Sequence, residues 1–245
     1  MRARLLWLAA LCAAGTVLAA GDSGPGRAIP DTMAQRVQAC TVCHGKEGRA
    51  TNSGYFPRIA GKPAGYLHNQ LLNFREGRRY NEGMTGLLDT LTDAYLREMA
   101  EHFAAIDLPY PPPQPTSLGQ SELERARRLV RQGDTALGVP ACETCHGKAL
   151  TGRQPAFPGL LGLPRDYLAA QLGAWKTGQR RAAEPDCMAD IARRLPDSDV
   201  SLLAHWLAAQ PVVPVVSAPT RRSRADAATS QRPAELPLRC GSGPR

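Results

Sequence analysis

Two stretches of the chain set cysteine and histidine at a spacing that fits one kind of chemistry. Cys40-Thr41-Val42-Cys43-His44 and Cys142-Glu143-Thr144-Cys145-His146 each put two thiols three positions apart, with an imidazole directly after the second. Thiols so spaced can form thioethers to the two vinyl groups of one haem. The adjacent histidine then lies beneath the iron and donates a ring nitrogen. The same residue types could hold zinc, but a histidine immediately after the second cysteine is unusual for zinc. A redox dithiol of the thioredoxin kind needs a βαβ setting, and the chain shows no convincing strand. The pattern therefore points to two covalently bound haem c groups, attached at Cys40, Cys43, Cys142 and Cys145 and ligated through iron by His44 and His146.

An electron-transferring iron wants a sixth ligand, and a thioether sulfur there raises its potential. Met84 and Met188 are the candidates, because each recurs seven residues before a matched leucine, Leu91 or Leu195. A lone methionine more often fills a gap in a core; Met33 and Met99, which have no counterparts, are read that way. Pro57 and Pro158 follow the histidines by 13 and 12 residues and offer carbonyls that could orient the second ring nitrogen. Arg78, Arg79, Arg180 and Arg181 precede the methionines and could equally meet haem propionates or stand in solvent. His68, His102 and His205 have no repeat partners and are assigned no role.

The elements that must position these residues repeat with them. Phe56-Pro57 matches Phe157-Pro158, Gly61 matches Gly162, Tyr66-Leu67 matches Tyr167-Leu168, Gln70-Leu71 matches Gln171-Leu172, and Gly77 matches Gly178. Helices are expected over 34–40, 64–76 and 92–106, then over 121–132, 165–176 and 197–209, with Ser121 and Glu124 as a capping box. Leu96, Met99, Ala100 and Phe103 fall on one face. The fold class is all-α: two tandem cytochrome c-like haem domains, 21–108 and 121–210, joined by a proline-rich linker, 109–120, that favours an extended spacer. Domains this small, in a chain with only 5% aromatic residues, gain from a large apolar cofactor.

The ends read differently. Residues 1–20, with Arg2 and Arg4 before an apolar run and Ala19-Ala20 after it, have the form of a cleaved secretory signal. Periplasmic localisation follows, where covalent haem is assembled in bacteria. Residues 211–245 shift to Pro, Ser, Arg and Ala and are expected to be a disordered basic tail. Six arginines against Asp226 and Glu235 make this tail the main source of the formal charge of +8, so nucleic-acid binding by the folded part is not supported. The tail could serve peripheral membrane association or docking. Of seven cysteines, Cys12 leaves with the signal and Cys187 and Cys240 are left over. Two free thiols are the expectation, with a bridge between them the alternative in an oxidising compartment.

On both CxxCH sites, the Phe-Pro…Gly…Tyr-Leu…Gln-Leu stretch and the run Arg131 to Cys142, the chain resembles the dihaem cytochrome c4 family over roughly residues 35–209. The resemblance implies neighbouring haems, His/Met ligation by His44, Met84, His146 and Met188, and single-electron transfer with respiratory partners. Such partners are an oxidase, a bc1-type complex or a dehydrogenase. A haem subunit of a dehydrogenase complex, or a catalytic dihaem cytochrome such as a peroxidase, is the alternative. The second requires an exchangeable iron site, against which two matched methionines argue.

Overall fold

The computed structural model describes residues 30–51, 54–212 and 238–243. The expected signal, and the expected disorder over 213–237, lie outside the described residues. Ten helices run through the described residues, five in each half. In the first half they are α1 (Met33–Arg36), α2 (Gln38–His44), α3 (Ala64–Arg75), α4 (Glu82–Leu88) and α5 (Asp93–Ala104). In the second they are α6 (Gln120–Arg131), α7 (Cys142–His146), α8 (Arg165–Lys176), α9 (Cys187–Arg194) and α10 (Asp197–Ala208). None is long and apolar enough to cross a membrane.

The long helices fall where apolar periodicity places them. Helix α5 buries Leu96, Met99, Ala100 and Phe103, the stripe expected of a helix with one core face. Thr92 caps it, its hydroxyl accepting from the Tyr95 N–H at 3.3 Å. Helix α5 packs on α3, and its counterpart α10 packs on α8 and α6. The first half's core forms two small groups, Val37-Leu67-Ala100-Phe103 and Phe74-Leu88-Leu96. The second half has one larger core, with Leu129, Val130, Leu150, Leu203 and Ala204 almost wholly buried.

Four local expectations need correction. The first helix breaks at Val37 into α1 and α2. The cap of α6 lies two residues earlier than the Ser121/Glu124 pair: Glu122 accepts from the Gly119 N–H at 2.8 Å. Glu124 instead accepts from Gln120 one helical turn back. Two short strands exist, β1 (Gly152–Arg153) and β2 (Phe157–Pro158), paired antiparallel as a small hairpin after the second motif. Their two-residue length gives no alternation to read. Finally, Cys187 and Cys240 are not free; they form a disulfide, with Cα atoms 5.5 Å apart. The returning segment 238–243 is held there because the Gly241 N–H donates to the Pro185 carbonyl at 3.0 Å. This end of the tail is therefore packed.

The linker has no regular secondary structure, as its prolines require, but it is anchored. Arg58 donates to the Leu108 and Pro109 carbonyls at 2.6 and 2.8 Å and stacks on the Tyr110 ring. The Gln114 N–H donates to the Ala208 carbonyl at 2.9 Å, and its side chain accepts from the Arg165 N–H. The linker is thus tied to the first half through Pro109 and Tyr110 and to the second through Gln114.

Candidate haem sites and the interface between them

Each motif forms a short helix that delivers its histidine inward. Helices α2 and α7 end on Gly45 and Gly147, with φ of 74° and 83°. A side chain at Gly45 would run into the Ala50 carbonyl, so the sharp exit beside the histidine needs glycine. His44 and His146 are each only 7% exposed. Their Nδ1–H groups donate to the Pro57 carbonyl at 2.8 Å and the Pro158 carbonyl at 2.7 Å. A carbonyl can only accept, so Nδ1 carries the proton and Nε2 keeps a free lone pair. Burial lowers the pKa of both imidazoles, and nearby Arg79 (for His44) and Lys62 (for His146) push the same way; the prolyl carbonyls oppose this. The neutral ring is the form that binds iron.

The four motif thiols are free of disulfides. Burial raises the Cys40 thiol and pushes Cys142 up to about 11. Among the described residues no three His, Cys, Asp or Glu side chains converge as a metal cage. The donor set is thus one imidazole per site beside two free thiols.

Met84 and Met188 lie early in α4 and α9, two short helices beyond those expected from periodicity. Asn81 caps α4 by accepting from the Met84 N–H at 3.1 Å. Asp186 caps α9 by accepting from the Ala189 N–H at 3.1 Å, and its other oxygen accepts from the Ala182 N–H. Each methionine is half-buried. Met84 also borders the Phe74-Leu88-Leu96 group.

The arginines before the methionines join the two halves. Arg79 donates to Gln70 and Gln171 at 3.1 and 2.8 Å, and Arg180 donates to Gln171 and Gln70 at 2.7 and 2.9 Å. The backbones of Arg79 and Arg180 also bridge. Arg79 stacks on Phe74 and reaches the Tyr167 hydroxyl, while Arg180 stacks on Trp175. Among the described residues neither guanidinium pairs with a carboxylate. Arg78 instead pairs with Glu76, and Arg181 donates to the Gly77 carbonyl. The roles of Gln70, Gln171 and Tyr167 went unassigned from sequence, although their recurrence was visible. Of the unassigned histidines, His68 and His205 each leave one buried ring nitrogen without a partner among the described residues. His102 packs edge-on against Phe103.

No family model matches the chain. Individual proteins do. It is 37% identical over 181 residues to a thiosulfate dehydrogenase electron acceptor of Thiomonas intermedia, covering 74% of this chain and 82% of that protein. It is 32% identical over 195 residues to cytochrome c4 of Pseudomonas aeruginosa, covering 79% of this chain and 90% of that one. The chain belongs to the dihaem cytochrome c4 family. The solved structure of reduced cytochrome c4 from Pseudomonas stutzeri superposes with a TM-score of 0.63 at 28% identity, over 72% of this chain and 96% of that one. A thiosulfate dehydrogenase structure from Marichromatium purpuratum gives the same TM-score at 30% identity, over 71% of this chain and 36% of that chain. The present chain thus spans about a third of that longer protein.

Cytochromes c4 are electron carriers with covalently bound haem c, and the residues here fit that group. Each pair of free thiols stands beside an imidazole whose Nε2 is open. The buried Trp175 Nε1–H has no partner among the described residues. It lies beside Arg180, itself 4% exposed. An unmatched donor next to an unmatched cation suits an anionic haem propionate.

Proposed function

We propose that this cytochrome is a periplasmic carrier of single electrons, with two haem c groups and no substrate site of its own. The observation that carries this reading is the matched pair of buried histidines, each with Nδ1 committed to a prolyl carbonyl and Nε2 open. Bound haem c supplies an iron that accepts and releases one electron at a time. The residues that would hold it are Cys40 and Cys43 with His44 and Met84, and Cys142 and Cys145 with His146 and Met188. Pro57 and Pro158 orient the two imidazoles through Nδ1. With both a histidine and a methionine on each iron, no position would be left for a substrate.

The electron donor proposed is a thiosulfate-oxidising dehydrogenase, on the strength of two relatives called thiosulfate dehydrogenase electron acceptors, 37% and 36% identical. A terminal oxidase is the natural acceptor class. Mixing the oxidised protein with thiosulfate and such a dehydrogenase should reduce both haems. Thiosulfate alone should not. Failure of the complete mixture would remove this donor. Rapid binding of carbon monoxide by the ferrous protein at either haem would favour the catalytic alternative over the carrier.

A further inference from the structure

Besides Arg79 and Arg180 the interface holds the buried cation Lys62, which unlike the arginines breaks the repeat. Lys62 follows Gly61 in the first half; the matching position after Gly162 is Leu163. Lys62 is 4% exposed, and its Nζ–H donates across the interface to the Gly159 carbonyl at 3.0 Å. Gly159 directly follows Pro158, whose carbonyl holds His146. Gly159 is closely packed: a side chain there would strike the Thr151 carbonyl. Among the described residues Lys62 has no carboxylate partner. Burial and the neighbouring Arg58 push its ammonium down to about 8, so it is charged at neutral pH. His44 has no such visitor; the cation acting on it, Arg79, comes from its own half.

We propose that Lys62 is a positioning and potential-setting residue for the other domain's haem: it pins the loop that orients His146 and places a fixed positive charge beside the second centre. A buried cation near an iron disfavours the ferric state, because the interior screens the added charge poorly. The first half of the molecule thereby raises the potential of the second, while Leu163 returns no equivalent charge to the first. Each histidine thus faces one cation, Arg79 from its own half at His44 and Lys62 from the other half at His146.

This inference rests on the ligand assignment above, and the test separates the two. In holoprotein carrying Met84→His, one wave of the redox titration should fall and the remaining high wave should belong to the second haem. Adding Lys62→Gln, which keeps a donor for Gly159 but removes the charge, should lower that remaining wave. A roughly tenfold loss in the reduced-to-oxidised ratio at fixed potential is expected, equivalent to about 59 mV for one electron. Lys62→Arg, which keeps the charge, should hold the wave near its original place. In a Met188→His background, Lys62→Gln should leave the remaining wave of the first haem unmoved. Haem content and far-ultraviolet circular dichroism of each variant establish that it is folded; Lys62→Met serves if the glutamine variant is not. If Met84→His moves no wave, the ligand assignment fails. If it moves one wave and Lys62→Gln leaves the other in place, or shifts both centres alike, the role of Lys62 is overturned. An arginine variant as low as the glutamine variant overturns the charge argument.

Discussion

At the scale of single residues, the site is most legible where chemistry fixes both type and spacing. Two thiols, two intervening residues and an imidazole can be recognised without a fold, and so can a proline whose only remaining backbone group is an acceptor. The carbonyl contacts from Pro57 and Pro158 to the two histidines are what that reasoning expects. Removing either imbidazole should therefore remove one centre. For His44→Ala and for His146→Ala, alkaline pyridine spectra should show haem per chain falling from two toward one. The affected half should also lose stability, because a cofactor held only by the folded state contributes to folding. Unchanged haem content would count against that histidine as a ligand. Lys62 illustrates the opposite case. Nothing in Gly61-Lys62-Pro63 separates a buried lysine from a surface one, since its partner carbonyl lies 97 residues away across the interface.

At the scale of elements, the five long helices were readable from periodicity and their ends, but the short helices α4 and α9 were not. Seven or eight residues carry too little pattern, and these two owe their starts to single side chains, Asn81 and Asp186. Replacing Asp186 with Ala should loosen the segment carrying Met188. Loss of a buried cap costs about 0.5–2 kcal/mol, and a melting curve of the oxidised protein should record it. A second test concerns the join between α6 and α10. Arg125 bridges Asp134 at 2.8 Å and the buried Asp199 at 2.7 Å. Arg125→Leu leaves Asp199 buried without its cation, at a cost of about 3–5 kcal/mol. Hydrogen bonding to Arg125 holds the Asp134 carboxyl below its usual value. A depressed carboxyl contributes stability above its unfolded pKa and loses it as pH falls through the folded one. The gap in melting temperature between wild type and Arg125→Leu should therefore be full near neutrality and narrow below about pH 4. A constant gap down to pH 3 would assign the effect to lost packing alone.

At the scale of the whole molecule, the repeat announced two similar halves, but only the folded chain shows what makes them one body. The joining residues are those that recur, Gln70 with Gln171 and Arg79 with Arg180, and they bond crosswise; a repeat in sequence cannot show which copy's partner is used. The tail was the least legible part. Its composition suggested a free basic arm, yet the Cys187–Cys240 bridge closes 53 residues of chain. Asn69 of the first half donates to the Ser242 carbonyl at 3.1 Å. Arg221, Arg222, Arg224 and Arg232 therefore lie on a segment covalently fixed at both ends. Trypsin acting at Arg221, Arg222 or Arg224 should leave a product that stays whole under non-reducing conditions and separates on reduction. In a Cys240→Ser variant the fragment should separate without reductant. Loop closure of this length stabilises by about 4 kcal/mol in the chain-entropy treatment, so that variant should also melt earlier. The charge of these four arginines bears on docking. Charged groups speed encounter with an oppositely charged partner more than they tighten the complex. Neutralising the four arginines should slow reduction by the physiological donor at low ionic strength while leaving both haem potentials in place. The difference should fade at high salt, where the screening length falls to about 3 Å at 1 M. Equal rates at low salt would mean that these arginines do not steer the encounter.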